Sequence, residues 1–205
     1  VGFYSQVIFP FLCDFVLDQP FVANHRRKLL AHASGDILEI GFGTGLNLPC
    51  YPSHVGKIAT IDPNTGMYRK ARARIKHSGI EVDRQVLGSE RLPFASGTFD
   101  CVVSTFTLCS IEDVGQALSE VFRVLRSGGK LLFLEHGLSP DPHVQKWQHR
   151  LNWLQMRLAG GCHLDRNIRA LLTAQPFDSL KIDEFYLDKT PKTHGYMYQG
   201  LARKR

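Results

Sequence analysis

The sequence predicts an α/β fold: a seven-stranded, mostly parallel sheet with helices on both faces, ending in an antiparallel hairpin. Three observations carry this expectation. Strand-like runs recur at 36–41, 57–62, 80–87, 99–104, 129–135, 179–187 and 195–203, with helical patterns between most of them. The first run enters a glycine loop and the second ends in an acid about twenty residues on, the spacing of a nucleoside-binding βαβ unit. Only Asp188 to His194 separate the last two runs, too little chain for a parallel crossover.

At 205 residues the chain suits one domain over 1–205, large enough to bury a full core. Its 43% hydrophobic and 21% charged residues are ordinary for a globular protein. The five cysteines, Cys13, Cys50, Cys101, Cys109 and Cys162, are scattered and contain no CxxC. Neither a disulfide framework nor a zinc site is expected, no metal is assigned, and a reducing cytoplasmic setting fits. No run approaches roughly 18 apolar residues, so no membrane-spanning helix is expected. The chain opens on Val1, which leaves room for a targeting segment ahead of it.

The first 33 residues are apolar and aromatic (Phe3, Tyr4, Val7, Ile8, Phe9, Phe11, Leu12, Phe15, Val16), followed by Pro20 and the basic run His25-Arg26-Arg27-Lys28. Two readings stand. The segment is a lid whose aromatics close an apolar pocket, or it lies peripherally on a membrane with its basic run at lipid headgroups.

The first strand follows in Ile37-Leu38-Glu39-Ile40 and turns through Gly41-Phe42-Gly43-Thr44-Gly45. Glycines let the backbone turn tightly and approach a ligand that a Cβ would exclude. A dinucleotide fingerprint needs a third glycine three residues after the second, and that position is Leu46. A Glu39 carboxylate is awkward beside a pyrophosphate but suits the amino group and sulfonium of S-adenosylmethionine (SAM). The second strand, Lys57 to Ile61, ends in Asp62, whose carboxylate is expected to accept hydrogen bonds from two ribose hydroxyls. A nicotinamide enzyme is the alternative.

The formal charge of +6 raises the question of nucleic acid. In Lys70-Ala71-Arg72-Ala73-Arg74-Ile75-Lys76 the charges flank a helix whose buried stripe is Met67, Ala71 and Ile75. A solvated face is the expectation, and no nucleic-acid partner is assigned. Ile111 to Arg126 forms a further helix, stopped by Ser127-Gly128-Gly129. Residues 137–164 interrupt the wind. There Asp141-Pro142 starts a helix carrying Val144, Trp147, Leu151, Leu154 and Leu158, ended by Gly160-Gly161. An insertion leaving the carboxyl edge of the sheet is placed to cover an acceptor pocket.

Gly88-Ser89-Glu90-Arg91-Leu92-Pro93-Phe94, Gly97-Thr98-Phe99-Asp100 and Arg123-Val124-Leu125-Arg126-Ser127-Gly128-Gly129 resemble the ubiquinone/menaquinone-biosynthesis-type methyltransferases over about 35–136. Asn47-Leu48-Pro49 with Tyr51-Pro52, Thr107-Leu108-Cys109-Ser110, Leu134-Glu135-His136 and Gly160-Gly161-Cys162-His163-Leu164 look like the methyltransferase-like thiol methyltransferases and their bacterial relatives, some assigned to phospholipid methylation. The resemblance implies a single-domain Rossmann-like class I methyltransferase that uses SAM and releases S-adenosylhomocysteine. It puts Glu39, Gly41, Gly43, Gly45 and Asn47 around the methionine end of the donor. Asp62, Pro63 and Asn64 fall at the ribose, Ser89 and Glu90 at the adenine, and Thr105 and Thr107 on the floor. Relatives usually carry an acid or serine where this chain has Gly88, so the adenine amino group falls to backbone or to Glu90.

Other acceptor classes lose ground. Ser104-Thr105-Phe106-Thr107 replaces the Asn/Asp-Pro-Pro-aromatic motif of base amino-methylation, the one Pro-Cys (Pro49-Cys50) sits by the glycine loop, and no carboxylate cluster suggests magnesium. A small-molecule acceptor remains, a thiol or sulfide ahead of a lipid amine or quinone precursor. A SAM-binding protein without turnover is the alternative of another class. His136, just after the fifth strand, is the candidate general base, or a histidine bonded to a loop carbonyl. Tyr4, Phe9, Phe106, Cys162 and His163 are the candidate acceptor contacts, with Cys109 and Cys162 otherwise packing residues.

Overall fold

The structure is a computed structural model and describes residues 2–205. A π-helical turn, Tyr4–Ile8, runs into α1 (Phe9–Leu17), followed by α2 (Pro20–Leu30). The core elements are β1 (Ile37–Ile40), β2 (Lys57–Ile61), α3 (Thr65–Ser78), β3 (Glu81–Gln85), β4 (Phe99–Thr105), α4 (Val114–Val124) and β5 (Leu125–His136). Then come α5 (Pro142–Leu158), α6 (Ile168–Thr173), β6 (Ser179–Tyr186), the short α7 (Lys192–Gly195) and β7 (Tyr196–Arg203).

The seven strands form one sheet, as the strand pattern predicts, and their order is β3-β2-β1-β4-β5-β7-β6. The first five are parallel, and β7 inserts antiparallel between β5 and β6. β1 is buried along its whole length and β4 along nearly all of its own, which is why apolar residues predominate in both. Alternate residues feed two cores. Leu38, Ile40, Val102 and Phe133 pack toward α4 and α6, while Ile37, Val103, Leu132 and Leu134 pack toward α2 and α3. The strand order reverses between β1 and β4, and ligands bind at such a switch point, outside the carboxyl ends of the strands.

Two boundaries and one burial pattern differ from the sequence expectation. Helix α4 starts at Val114, because Asp113 accepts a hydrogen bond from the Gln116 amide and caps it there. The chain enters β5 at Leu125 rather than at Gly129, pairing Phe99 before a register shift. Only Val144 and Gln148 of α5 are buried, so the spacing of Trp147, Leu154 and Leu158 marks an exposed apolar side and not a buried one. Among the described residues no single helix is long and apolar enough to cross a membrane. Tyr4–Leu17 and Pro20–Leu30 pass that test only together, bent by 82°.

Candidate active site

A cavity of about 490 Å³ opens at the switch point, within the range of small-ligand sites. Its floor is the glycine loop. Gly41 and Gly43 hold positive φ of 67° and 56°. A Cβ on Gly41 would come 2.0 Å from Thr107 Oγ1, so the loop lies against the turn after β4 only because a hydrogen stands there. Gly45 is not among the lining residues; its Cα faces Leu48 and Ala71.

Asp62, one residue past β2, locks this loop. Its Oδ2 accepts from the Gly43 amide at 2.7 Å and its Oδ1 from the Asn64 amide at 2.7 Å. Burial pushes the carboxyl up, and those two amides pull it back. A carboxylate offers about four lone-pair sites, so two remain for a ligand. Pro63 and Asn64 line the wall beside it, and Asn64 also caps α3.

Glu39 in β1 is buried, its Oε1 accepting from Asn47 Nδ2 at 2.9 Å and its Oε2 from Tyr51 Oη at 2.7 Å. Burial pushes this carboxyl up to about 7, against those two hydrogen bonds and the nearby Arg26 charge. Arg26 is the residue that the sequence reading missed. Only 4% exposed, it donates to Asn47 Oδ1 at 2.6 Å and to Thr105 Oγ1 at 2.8 Å, and its guanidinium sits 5.1 Å from the Phe106 ring centroid. Its Nε is buried with no partner among the described residues. The signal was present in the spacing: Val22, Arg26, Leu29 and Leu30 form the buried face of α2.

Ser89 and Glu90 line one side of the cavity together with Gly88, and Thr105, Phe106 and Thr107 line another. The roof is the N-terminal segment, where Ser5, Gln6, Phe9, Cys13 and Leu17 face the cavity. Its attachment is polar. Asn64 Nδ2 donates to the Ser5 carbonyl, Gln6 Nε2 donates to Asn64 Oδ1, and Arg74 pairs with Asp14 and Asp18, each at 2.7 Å. Burial would raise the Asp14 carboxyl, but hydrogen bonds from Thr44 and Arg74 hold it below its ordinary value.

Several expected contacts lie elsewhere. Phe9 is the one aromatic of the segment that faces the cavity; Phe3 and Phe11 point outward, and Tyr4 Oη donates to the Leu158 carbonyl. His25 stacks on Phe185 and is half-buried, Arg26 is buried, and Arg27 and Lys28 of the basic run are exposed. His136, Cys162 and His163 do not line the cavity. His136 Nε2 lies 2.8 Å from Cys162 Sγ, and His163 sits near Asn152 and Asp165.

The family described as "Methyltransferase domain" matches residues 38–133. A human thiol S-methyltransferase is 32% identical over 80% of this chain and 67% of its own length. A rat thiol S-methyltransferase is also 32% identical, and the match spans 62% of that longer protein. A phosphatidylethanolamine N-methyltransferase of Cereibacter sphaeroides is 34% identical over 88% of this chain and 86% of its own. Among solved structures, a SAM-dependent methyltransferase from Thermotoga maritima superposes over 98% of both chains with a TM-score of 0.69 at 17% identity, a likeness of fold. With its glycine loop, the acid after β2 and the β7 insertion in place, this chain belongs to the SAM-dependent methyltransferases.

Proposed function

We propose that the protein transfers the methyl group of SAM to a small, fairly apolar acceptor, a thiol or hydrogen sulfide first among them. The observation that carries this reading is the cavity, where Glu39 and Arg26 meet on Asn47 and Phe9 and Leu17 face in from the roof. Glu39 and Arg26 suit the ammonium and carboxylate of an amino-acid moiety, Asp62 suits a ribose diol, and Gly41 with Gly43 leaves room for backbone contact. Ser89 and Glu90 then fall to the adenine. SAM when bound supplies a methyl already activated by its sulfonium, so no enzyme nucleophile is needed.

The chain's own work is alignment and exclusion of water. Phe9, Leu17 and Phe106 wall the cavity with apolar surface. A free thiol has a typical pKa near 8.5, so a small fraction is thiolate at neutral pH. His136 enters as the candidate base; its Nε2 meets Cys162 Sγ and neither side chain lines the cavity, so an intervening group must carry the acceptor's proton to it.

A second reading, a phospholipid amine or quinone precursor, draws on one surface. The outward side of α1 carries Phe11, Phe15 (70% exposed) and Val16, and α5 adds Trp147 and Trp153 (61% exposed) with Arg150 and Arg157 over those rings. Exposed aromatics beside basic groups suit peripheral contact with a bilayer. The deciding experiment offers the protein and SAM a small alkyl thiol and phosphatidylethanolamine vesicles in one tube, read by mass spectrometry. Methyl thioether as the main product supports the first reading, and methylated lipid overturns it in favour of the second. SAM binding with no product from thiol, amine, phenol or lipid makes the protein a binder without turnover.

A further inference from the structure

Three buried side chains from separate segments meet behind the cavity wall. Cys109 lies in the turn after β4, His136 ends β5, and Cys162 follows α5. Cys162 Sγ is 2.8 Å from His136 Nε2 and 3.4 Å from Cys109 Sγ. The two cysteine loops are tied together, since the His163 amide donates to the Cys109 carbonyl at 2.9 Å. His136 Nδ1 is buried with no partner, so the sulfur is the imidazole's one polar contact.

We propose that Cys162 is a site of oxidative modification, with Cys109 the thiol that resolves it into a disulfide. The neighbouring Cys109 thiol and the His136 imidazole hold the Cys162 thiol well below its ordinary range, with burial opposing them. The contact with Cys162, together with burial, keeps Cys109 a protonated thiol. Burial, first among several causes, pushes Cys13 up to about 11 and Cys101 to about 12. Thiolate is the reactive form, so oxidation is directed to one cysteine of five.

The oxidant is a small hydroperoxide. The Cys162 thiolate attacks its O–O bond: an S–O bond forms, O–O breaks, and the leaving alkoxide or hydroxide takes the proton of the His136 imidazolium. The Cys109 sulfur then attacks the sulfenic sulfur: S–S forms, S–O breaks, and the leaving hydroxide departs as water with the Cys109 proton. Two thiols lose two electrons, and the peroxide becomes alcohol or water plus water. The sulfurs need to close from 3.4 Å to about 2.05 Å. Ser110 and Gly160, close neighbours of the two cysteines in the chain, line the cavity, which gives a small oxidant its approach and couples the bond to the acceptor wall.

The same three donors raise the question of a metal. Tetrahedral zinc with two sulfurs and a nitrogen sets its donors roughly 3.5–3.8 Å apart. The observed 2.8 Å and 3.4 Å are closer, as a hydrogen-bonded chain requires.

The test treats the reduced wild-type protein with hydrogen peroxide, blocks free thiols with N-ethylmaleimide under denaturing conditions, and maps it by mass spectrometry without reduction. The expected result is a Cys109–Cys162 linked peptide, two hydrogens lighter, with Cys50 and Cys101 alkylated. Cys109→Ser should stop at a dimedone-reactive sulfenic acid on Cys162, and His136→Asn should slow oxidation at least roughly tenfold by lowering the thiolate fraction. Full alkylation of both cysteines after peroxide overturns the proposal. So does one equivalent of zinc in the isolated protein that is lost in Cys109→Ser. The wild-type map needs no variant, so a misfolded variant leaves the test standing.

Discussion

Asp62→Ala removes one side chain that does two jobs, and the structure separates them. Each carboxylate oxygen already accepts a backbone amide at 2.7 Å, one from Gly43 and one from Asn64. The two remaining lone-pair sites are those assigned to the ribose. A hydrogen bond to a charged acceptor is worth about 1.5–3 kcal/mol. Water filling the space left by the truncation recovers part of two such bonds, so a net loss the size of one is expected. That corresponds to SAM binding weakened roughly 10- to 150-fold. The lost amide bonds loosen the glycine loop as well, so a fall in Tm of a few degrees accompanies it. Isothermal titration calorimetry with SAM, well below the variant's Tm and with circular dichroism to certify the fold, makes the measurement. Asp62→Asn is the control, since it keeps the shape but turns one acceptor into a donor facing the Gly43 amide. A SAM Kd within twofold of wild type in Asp62→Ala would refute the ribose assignment.

Four further outcomes follow from the site. Gly41→Ala forces a side chain to positive φ, at about 1–2 kcal/mol, and drives its methyl into Thr107, so both Tm and SAM affinity should fall; unchanged binding in calorimetry contradicts the close approach. Glu39 is raised to about 7 by burial, so the free protein holds it largely neutral below that pH, while a cationic ligand favours its anion. SAM affinity should therefore rise from pH 6 to 8 and level off, with up to one proton released on binding, read by calorimetry in two buffers of different ionisation enthalpy. Arg26→Met removes the cation that pulls Glu39 down and leaves Asn47 Oδ1 unpaired, so the pH threshold should move upward and stability should fall by about 1–3 kcal/mol in urea unfolding. Burial would lower the His136 imidazole, but Cys162 and then Glu135 hold it above its ordinary value. His136→Ala should reduce thiol methylation mostly near neutral pH, and an unaltered pH profile rules out its role as base.

Local sequence carried the half of the cavity proposed for the donor. β1, the glycine loop and β2 lie within 37–62, so strand propensity, positive φ and the acid at the strand end are all written in neighbouring residues. The same holds for the hairpin, because β6 and β7 are joined by too few residues to cross over. Tertiary structure decided the rest. Arg26 reads as one of four consecutive basic residues until α2 buries it against Asn47 and Thr105, 21 and 79 positions away. Phe9 faces the cavity while Phe3 and Phe11 face outward, since attachment through Asn64 and Arg74 fixes which side of the segment turns in. Cys109 and Cys162 are 53 residues apart in two separate motifs, and they touch because the turn after β4 and the loop after α5 converge at the end of β5. Periodicity and turn chemistry register what a residue does to its neighbours in the chain; which side chains share a proton across the fold is set by the packing of whole elements.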